Sequence, residues 1–379
     1  MQPLEIMPPT WYSTVFQWTV LGTMLAMITA CFTNRIYSAS TRKNFDTYAK
    51  FFVILITVLV GLRPRHAAFG DTVNYARGFD ALVSSHQADW LQSLFSFKGE
   101  FTFSTIQDFC AEFANLHTMF FIFSVIYFGT QYWSCRRLFG PYWFVPFFAM
   151  TCMIDYWGFA VNGIRNGAAA NLMILALTFR HKLPVAVILG ILACGIHKSM
   201  LLVAGAAILA LYCKNTKIYI AAWFSCLLLS LAAGQGLSDW VASSFLSDVD
   251  TRLSAYAQYA GDAAMMQQFS SSGFRADFLL YSAVPIAVGC WVLYKHHLED
   301  QLYRWWLNIY ITANAFWVLM MYAFSSNRFA VLSWFMAGIV LTYPFFKFFF
   351  IQRQGRAVAC ILCTWYAFAF VQNIVKSLL

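Results

Sequence analysis

The sequence predicts an all-α polytopic membrane protein with about twelve spans (11–13) and two larger outer loops. Three observations carry this: composition, the spacing of apolar stretches, and the charge of the segments between them. Of 379 residues, 60% are hydrophobic and 11% charged, with a mean hydropathy of +0.61. Soluble chains carry about 25% charged residues. Sixteen acids and 25 bases cannot coat a soluble globule of this length. A soluble enzyme, a disordered chain and a disulfide-stapled secreted module are therefore excluded.

Twelve apolar stretches lie between polar breaks: 11–32, 49–62, 116–134, 140–155, 163–180, 184–196, 198–213, 217–234, 277–295, 304–323, 328–349 and 357–375. Several are short against the ~20 residues that cross a bilayer. Residues 1–10 contain no Lys or Arg, so the first stretch is expected to stay as a span rather than be cleaved as a signal peptide. The whole chain, 1–379, is expected to form a single integral membrane domain.

Counting every second connection from Asn34 collects 15 bases and three acids (Asp46, Glu299, Asp300) on one side. The other side holds ten bases and 13 acids. The net charges are +12 and −3, and only one register of twelve spans gives that split. By the positive-inside rule the +12 side is cytoplasmic. Both termini and the two long loops, 63–115 and 235–276, then lie outside. Topology accounts for the +9 total charge, and no nucleic-acid partner is expected.

The basic residues left outside are the anomaly. Arg63, Arg65, Arg165, Arg275 and Arg328 all sit at outer ends of apolar stretches. Arginine within a span costs ~2.5–3.5 kcal/mol on insertion scales. One such residue is ordinarily a side chain reaching to headgroups. Five on one face suit a phosphate or diphosphate, whose oxygens the planar guanidinium binds in pairs.

Local motifs add detail. In the stretch from Gly61 to Tyr75, Asp71 or Thr72 can cap a helix. Asp71, Tyr75 and Phe79 then share one face; an ordinary cap with an interfacial tyrosine reads the same way. Asn162, Arg165 and Asn166 fall on one face of a helix start thinned by Gly163, Gly167 and Ala168–Ala170. Such small residues let helices approach closely. The amides suit sugar hydroxyls. His197 and Lys198 form a short outer turn, where His197 is either a general base near neutral pH or a donor to phosphate. The segment Asp89–Phe95 reads as a short helix lying on the membrane. The second loop, with Asp248, Asp250, Arg252, Tyr256 and Tyr259, has the aromatic and polar composition of a carbohydrate surface or of an interfacial belt. Cys360 and Cys363 read as core packing inside a span. No Gly-rich phosphate loop, HExxH pair or GxSxG elbow occurs. No cofactor or metal is expected.

These residues, in this order, resemble the EpsG/Wzy group of bacterial polysaccharide polymerases. The match is carried by Gly61-Leu62-Arg63 with Gly70-Asp71-Thr72 and Asn74-Tyr75, then Asn162 with Arg165-Asn166, Ile196-His197-Lys198-Ser199, Phe274-Arg275 with Asp277, and Asn327-Arg328-Phe329. It covers about residues 55–335. Pro64 departs from the pattern, so either Arg63 or Arg65 holds the family's arginine position. The resemblance implies a GT-C-like membrane fold in the bacterial inner membrane. It also implies that undecaprenyl-diphosphate-linked oligosaccharide repeat units are joined at the periplasmic face, with membrane lipid and a chain-length regulator as partners. On that reading His197, Arg165 and Asp71 are catalytic. Arg63, Arg65, Tyr75, Asn162, Asn166, Lys198, Arg275 and Arg328 bind the diphosphate and sugar. Another transferase acting on lipid-linked glycan (a single-sugar glycosyltransferase or an acyltransferase) and a lipid-linked oligosaccharide flippase remain as alternatives.

Overall fold

A computed structural model describes residues 3–241, 273–323 and 326–378. Among them every regular element is helical. Most of the second outer loop, with Arg252, Tyr256, Tyr259 and the Asp-x-Asp spacing of Asp248 and Asp250, lies outside the described residues. The chain divides into two compact units. Unit 1 is Met1–Met200 with Leu341–Leu379, and unit 2 is Leu201–Val340.

Unit 1 begins with α1 (Trp11–Phe32) and α2 (Ala39–Gly61). The second helix starts ten residues before the apolar stretch does. Its first turns carry Arg42, Lys43, Asn44 and Asp46, so hydropathy marks only its apolar part. Ser38 caps it, accepting from the Thr41 N–H at 3.3 Å. Three helices follow in the first outer loop: α3 (Thr72–Ser85), α4 (Trp90–Ser96) and α5 (Phe101–Phe113). The short helix expected at Asp89–Phe95 is α4. Asp89 caps it, accepting from Gln92 N at 2.8 Å.

Next come α6 (Leu116–Ser124) and α7 (Thr130–Phe139), joined by a π-helical turn at Val125–Gly129. The apolar stretch 140–155 folds into α8 (Phe144–Thr151), and the chain turns at Asp155, which has φ +61°, before α9 (Tyr156–Val161). Two antiparallel helices follow, α10 (Ile164–Thr178) and α11 (Leu183–Ile196). Asn162 ends α9 rather than opening α10. It therefore does not share a helix face with Arg165 and Asn166, because Gly163 breaks the helical path between them.

The interior of unit 1 is aromatic. Trp143, Phe144, Phe147, Phe148 and Trp365 are fully buried. Burial leaves their polar atoms no water, so each needs a partner. Trp143 Nε1 donates to Asp46 Oδ1 at 2.6 Å, and Trp365 Nε1 to the Ala149 carbonyl at 3.1 Å. Tyr156 donates to Gln131 Oε1 at 2.6 Å, and Gln131 Nε2 to the Phe147 carbonyl at 3.0 Å.

Unit 2 contains α12 (Met200–Tyr212, its first residue closing unit 1), α13 (Thr216–Val241), α14 (Ala276–Cys290), α15 (Gln301–Leu319) and α16 (Asn327–Lys347) up to Val340. A polar chain ties it together. Trp223 Nε1 donates to Asn314 Oδ1 at 2.8 Å, and Asn314 Nδ2 to Ser333 Oγ at 3.0 Å. Trp334 Nε1 donates to Ser282 Oγ at 2.7 Å. The last helix, α17 (Gln354–Leu378), returns to unit 1 and packs on α1.

Among the described residues, six helices are long and apolar enough to cross a membrane: α1, α2, the first part of α13, α14 with its π-helical extension, α16 and α17. The other six apolar stretches form broken, shorter or more polar helices. At 1.5 Å per residue, the 14 residues of α11 reach about 21 Å, short of a ~30 Å hydrocarbon core. Large apolar side chains point outward, including Leu183 and Ile188 in unit 1 and Leu201, Ile208 and Leu228 in unit 2. A surface so rich in exposed apolar groups belongs in lipid, and the protein is a membrane protein. Cys360 and Cys363 are exposed on α17. They are not core packing: among the described residues both side chains are left uncovered.

Candidate functional site

The antiparallel course of α10 and α11 places the start of one beside the end of the other. Arg165 is in the first turn of α10, and His197 follows the last residue of α11. The opposite ends carry Arg137, whose Nε donates to Thr178 Oγ1 at 3.1 Å, and the Arg136–Asp46–Lys50 ion pairs. The two ends of unit 1 thus have different chemistry.

Into the Arg165–His197 end comes a carboxylate that the sequence reading did not single out, Glu100. It sits one residue before α5. One oxygen meets Arg165 Nη1, and the other lies 2.5 Å from His197 Nδ1. The three side chains are only 17–20% exposed. Burial raises Glu100, but the His197 and Arg165 contacts outweigh it and hold the carboxyl below its usual range. Tyr75 completes the group: its hydroxyl accepts from Arg165 Nε at 3.4 Å. The guanidinium also lies over the Phe103 ring, 5.0 Å from its centroid. Arg165 Nη2 and His197 Nε2 are left with no protein partner among the described residues. Lys198, next in the chain, is half-buried.

Close packing sets this geometry. A Cβ on Gly195 would collide with Thr102 Oγ1 and the Phe101 ring. Only glycine lets α11 come so close to α5, and that approach brings His197 to Glu100. Phe101 and Phe103 are buried and anchor the start of α5.

Arg63 has a different place. It is 1% exposed. Its Nη1 donates to the Val60 carbonyl at 2.7 Å, its Nε to Thr72 Oγ1 at 3.0 Å, and its Nη2 to the Val161 carbonyl at 3.2 Å. The Phe120 ring centroid lies 4.2 Å from the guanidinium. Burial lowers it to about 9, so it remains charged at neutral pH. Arg63 therefore braces the ends of α2 and α9 and the start of α3, and it is not open to a ligand here. Arg65 is exposed and bonds to both oxygens of Asp80, at 2.9 and 3.1 Å.

The Asp71 side chain caps nothing, contrary to expectation. Its carboxylate accepts from Asn74 Nδ2 at 3.1 Å, and no arginine is paired with it among the described residues. Its N–H donates to Asn162 Oδ1 at 2.7 Å. Asn162 thereby locks the turn before α3, against Gly70 at φ +58°, a conformation glycine adopts without strain. Asn166 is buried inside unit 1. In unit 2, Arg275 makes a two-point contact with Asp277, at 2.9 and 2.7 Å, and stacks on Phe278. Arg328 is half-buried in the first turn of α16. The structure thus gathers Tyr75, Arg165 and His197 around Glu100. It gives Arg63 and Asn166 internal positions, leaves Asn162 exposed in the turn it holds, and leaves Arg65 on the surface.

One signal for Glu100 was present in the chain: it is a lone acid between Gly99 and the Phe101-Thr102-Phe103 run. No curated protein and no solved structure gives a significant match to the chain. The profile of the EpsG family does, over residues 47–378. That span takes in every helix from α3 to α17 and every residue of the Glu100 cluster, and the chain belongs to the EpsG family.

Proposed function

We propose that the protein is a repeat-unit polymerase of the O-antigen or capsule kind. It joins undecaprenyl-diphosphate-linked oligosaccharides at the periplasmic face of the bacterial inner membrane. The EpsG family is that of Wzy-type polysaccharide polymerases. The observation that carries the reading is the Arg165–Glu100–His197 cluster, at the end of unit 1 that charge counting puts outside.

Glycosyl transfer from a lipid diphosphate needs two things: stabilisation of charge on the leaving diphosphate, and removal of the acceptor hydroxyl's proton. Arg165, with a guanidinium nitrogen unused among the described residues, serves the first. His197, whose Nε2 has no partner among the described residues, serves the second. Tyr75 positions Arg165, and Lys198 adds positive charge beside it. Arg275 and Arg328, at helix starts in unit 2, are further cations for the diphosphate. Asp71, half-exposed in the turn held by Asn162, faces the sugar. The twelve apolar stretches form a GT-C-like membrane body with both termini periplasmic. A separate chain-length regulator is the expected partner.

Deleting the gene in its own host and running the surface glycan on a gel tests the reading. The ladder should collapse to a single capped repeat unit and return on complementation. Complementation with Arg165→Ala should leave the single unit despite normal protein in the membrane. An intact ladder of altered mobility would mean a modifying transferase. Loss of even the single unit would mean a flippase or an earlier glycosyltransferase.

A further inference from the structure

Resting on that reading, we propose that Glu100 is the positioning residue of the site, holding the His197 imidazole in the tautomer that takes the acceptor's proton and fixing Arg165 beside it. An ionised carboxylate accepts hydrogen bonds and donates none. Glu100 is kept ionised by its two partners. The atom it meets 2.5 Å away, His197 Nδ1, must therefore carry the hydrogen. In a neutral imidazole the other nitrogen, Nε2, then has a free lone pair. This is the nitrogen without a protein partner among the described residues. The same logic orients the histidine in other base–carboxylate pairs.

The second carboxylate oxygen goes to Arg165. One side chain thus fixes two groups with opposite tasks. Its own position is set by the backbone: the Glu100 carbonyl accepts from Ser104 N at 3.0 Å, and the two buried phenylalanines that follow it anchor α5.

The step balances as follows. The acceptor sugar's O–H bond breaks, and its proton moves to His197 Nε2. The freed oxygen pair forms the new glycosidic bond at the donor's anomeric carbon. The bond from that carbon to the diphosphate oxygen breaks, and its electron pair leaves with the diphosphate, against Arg165. The imidazolium is paired with the Glu100 carboxylate until the product departs. The proton then passes from Nε2 to water.

The test uses full-length protein in lipid nanodiscs, with lipid-linked repeat units extracted from a strain lacking the gene. Glu100→Gln should lower kcat by about 10²-fold with KM little changed, the size of effect typical of a lost acid–base element. Glu100→Asp should recover part of that rate. Glu100→Gln should slow a His197→Gln enzyme by much less than it slows the parent, because the carboxylate acts through the imidazole and only its hold on Arg165 is left to lose. In 15N-histidine-labelled protein, the signal lost in His197→Gln should show hydrogen on Nδ1. In Glu100→Gln it should show a mixture of tautomers.

A Glu100→Gln enzyme as fast as the parent overturns the proposal. So does a faster one, which would make the carboxylate a competitor for the diphosphate's place, or a loss confined to KM. If Glu100→Gln does not fold, the parent spectrum decides: hydrogen on Nε2 of His197 overturns the proposal, and hydrogen on Nδ1 supports it. A parent protein that forms no glycosidic bond defeats the polymerase reading, and the same spectrum still judges the Glu100–His197 pair.

Discussion

Arg63 and Arg65 are two residues apart and look interchangeable in the chain, yet burial separates their roles. Arg63 is enclosed and donates to three acceptors from three segments. Removing it takes the donor from the buried Val60 carbonyl and leaves the Thr72 hydroxyl and Val161 carbonyl only their bond to each other, and hydrogen bonds to a buried charge are the stronger kind. Arg63→Ala should destabilise the protein on the order of 3 kcal/mol, read as a lower Tm in detergent and a depleted membrane fraction. Arg65 has a 44% exposed side chain, and its Asp80 partner is 55% exposed. Exposed pairs contribute about 0–1 kcal/mol, so Arg65→Ala should match the parent in Tm and abundance. Equal Tm values for the two variants would refute this division. Arg63 is thus the bracing residue of the pair, and Arg65 the surface one.

At the scale of elements, the approach of α11 to α5 decides whether the cluster exists. Helix α11 offers little polarity of its own, and α5 belongs to an outer loop; neither predicts the other. Gly195 is where they meet, and its missing Cβ is what permits the contact. Gly195→Val should push α11 outward and open the Glu100–His197 contact. Displacements of about 1 Å can cost about 10²-fold in rate, so the glycan ladder should shrink sharply. Stability should fall by only about 1–3 kcal/mol, as in other overpacked sites, leaving protein in the membrane. A full ladder from Gly195→Val would show that the contact is dispensable.

For the whole molecule, the charge split across the apolar stretches predicts an orientation that full-length protein can test. In a cysteine-free background, Lys98→Cys should react with an impermeant maleimide added to intact spheroplasts. Lys182→Cys should react only after the membrane is opened. The reverse labelling would invert the topology and place the Glu100 cluster on the cytoplasmic side. The short helices bear on the same question. Helices α10 and α11 carry the site's cation and imidazole at the end where Arg63 closes the α2 brace. At about 22 and 21 Å they fall short of the hydrocarbon thickness. Under the proposed function, a cluster at such helix ends would meet its substrate close to the membrane surface.

The sequence by itself determined the class of the protein, because composition and hydropathy are sums over the chain and need no contacts. It also set the expected orientation, since charge counts alternate with the spans. It singled out Arg165, Tyr75 and His197, because charged or polar groups beside apolar helices are conspicuous. It could not show Glu100, which is 65 residues from Arg165 and 97 from His197. A carboxylate in an outer loop looks like any other until folding decides what it faces. Nor could it tell the buried Arg63 from the exposed Arg65, or show that Asn162 ends one helix instead of beginning another. Those are matters of which surfaces meet, and close packing between distant segments is settled only in the tertiary structure.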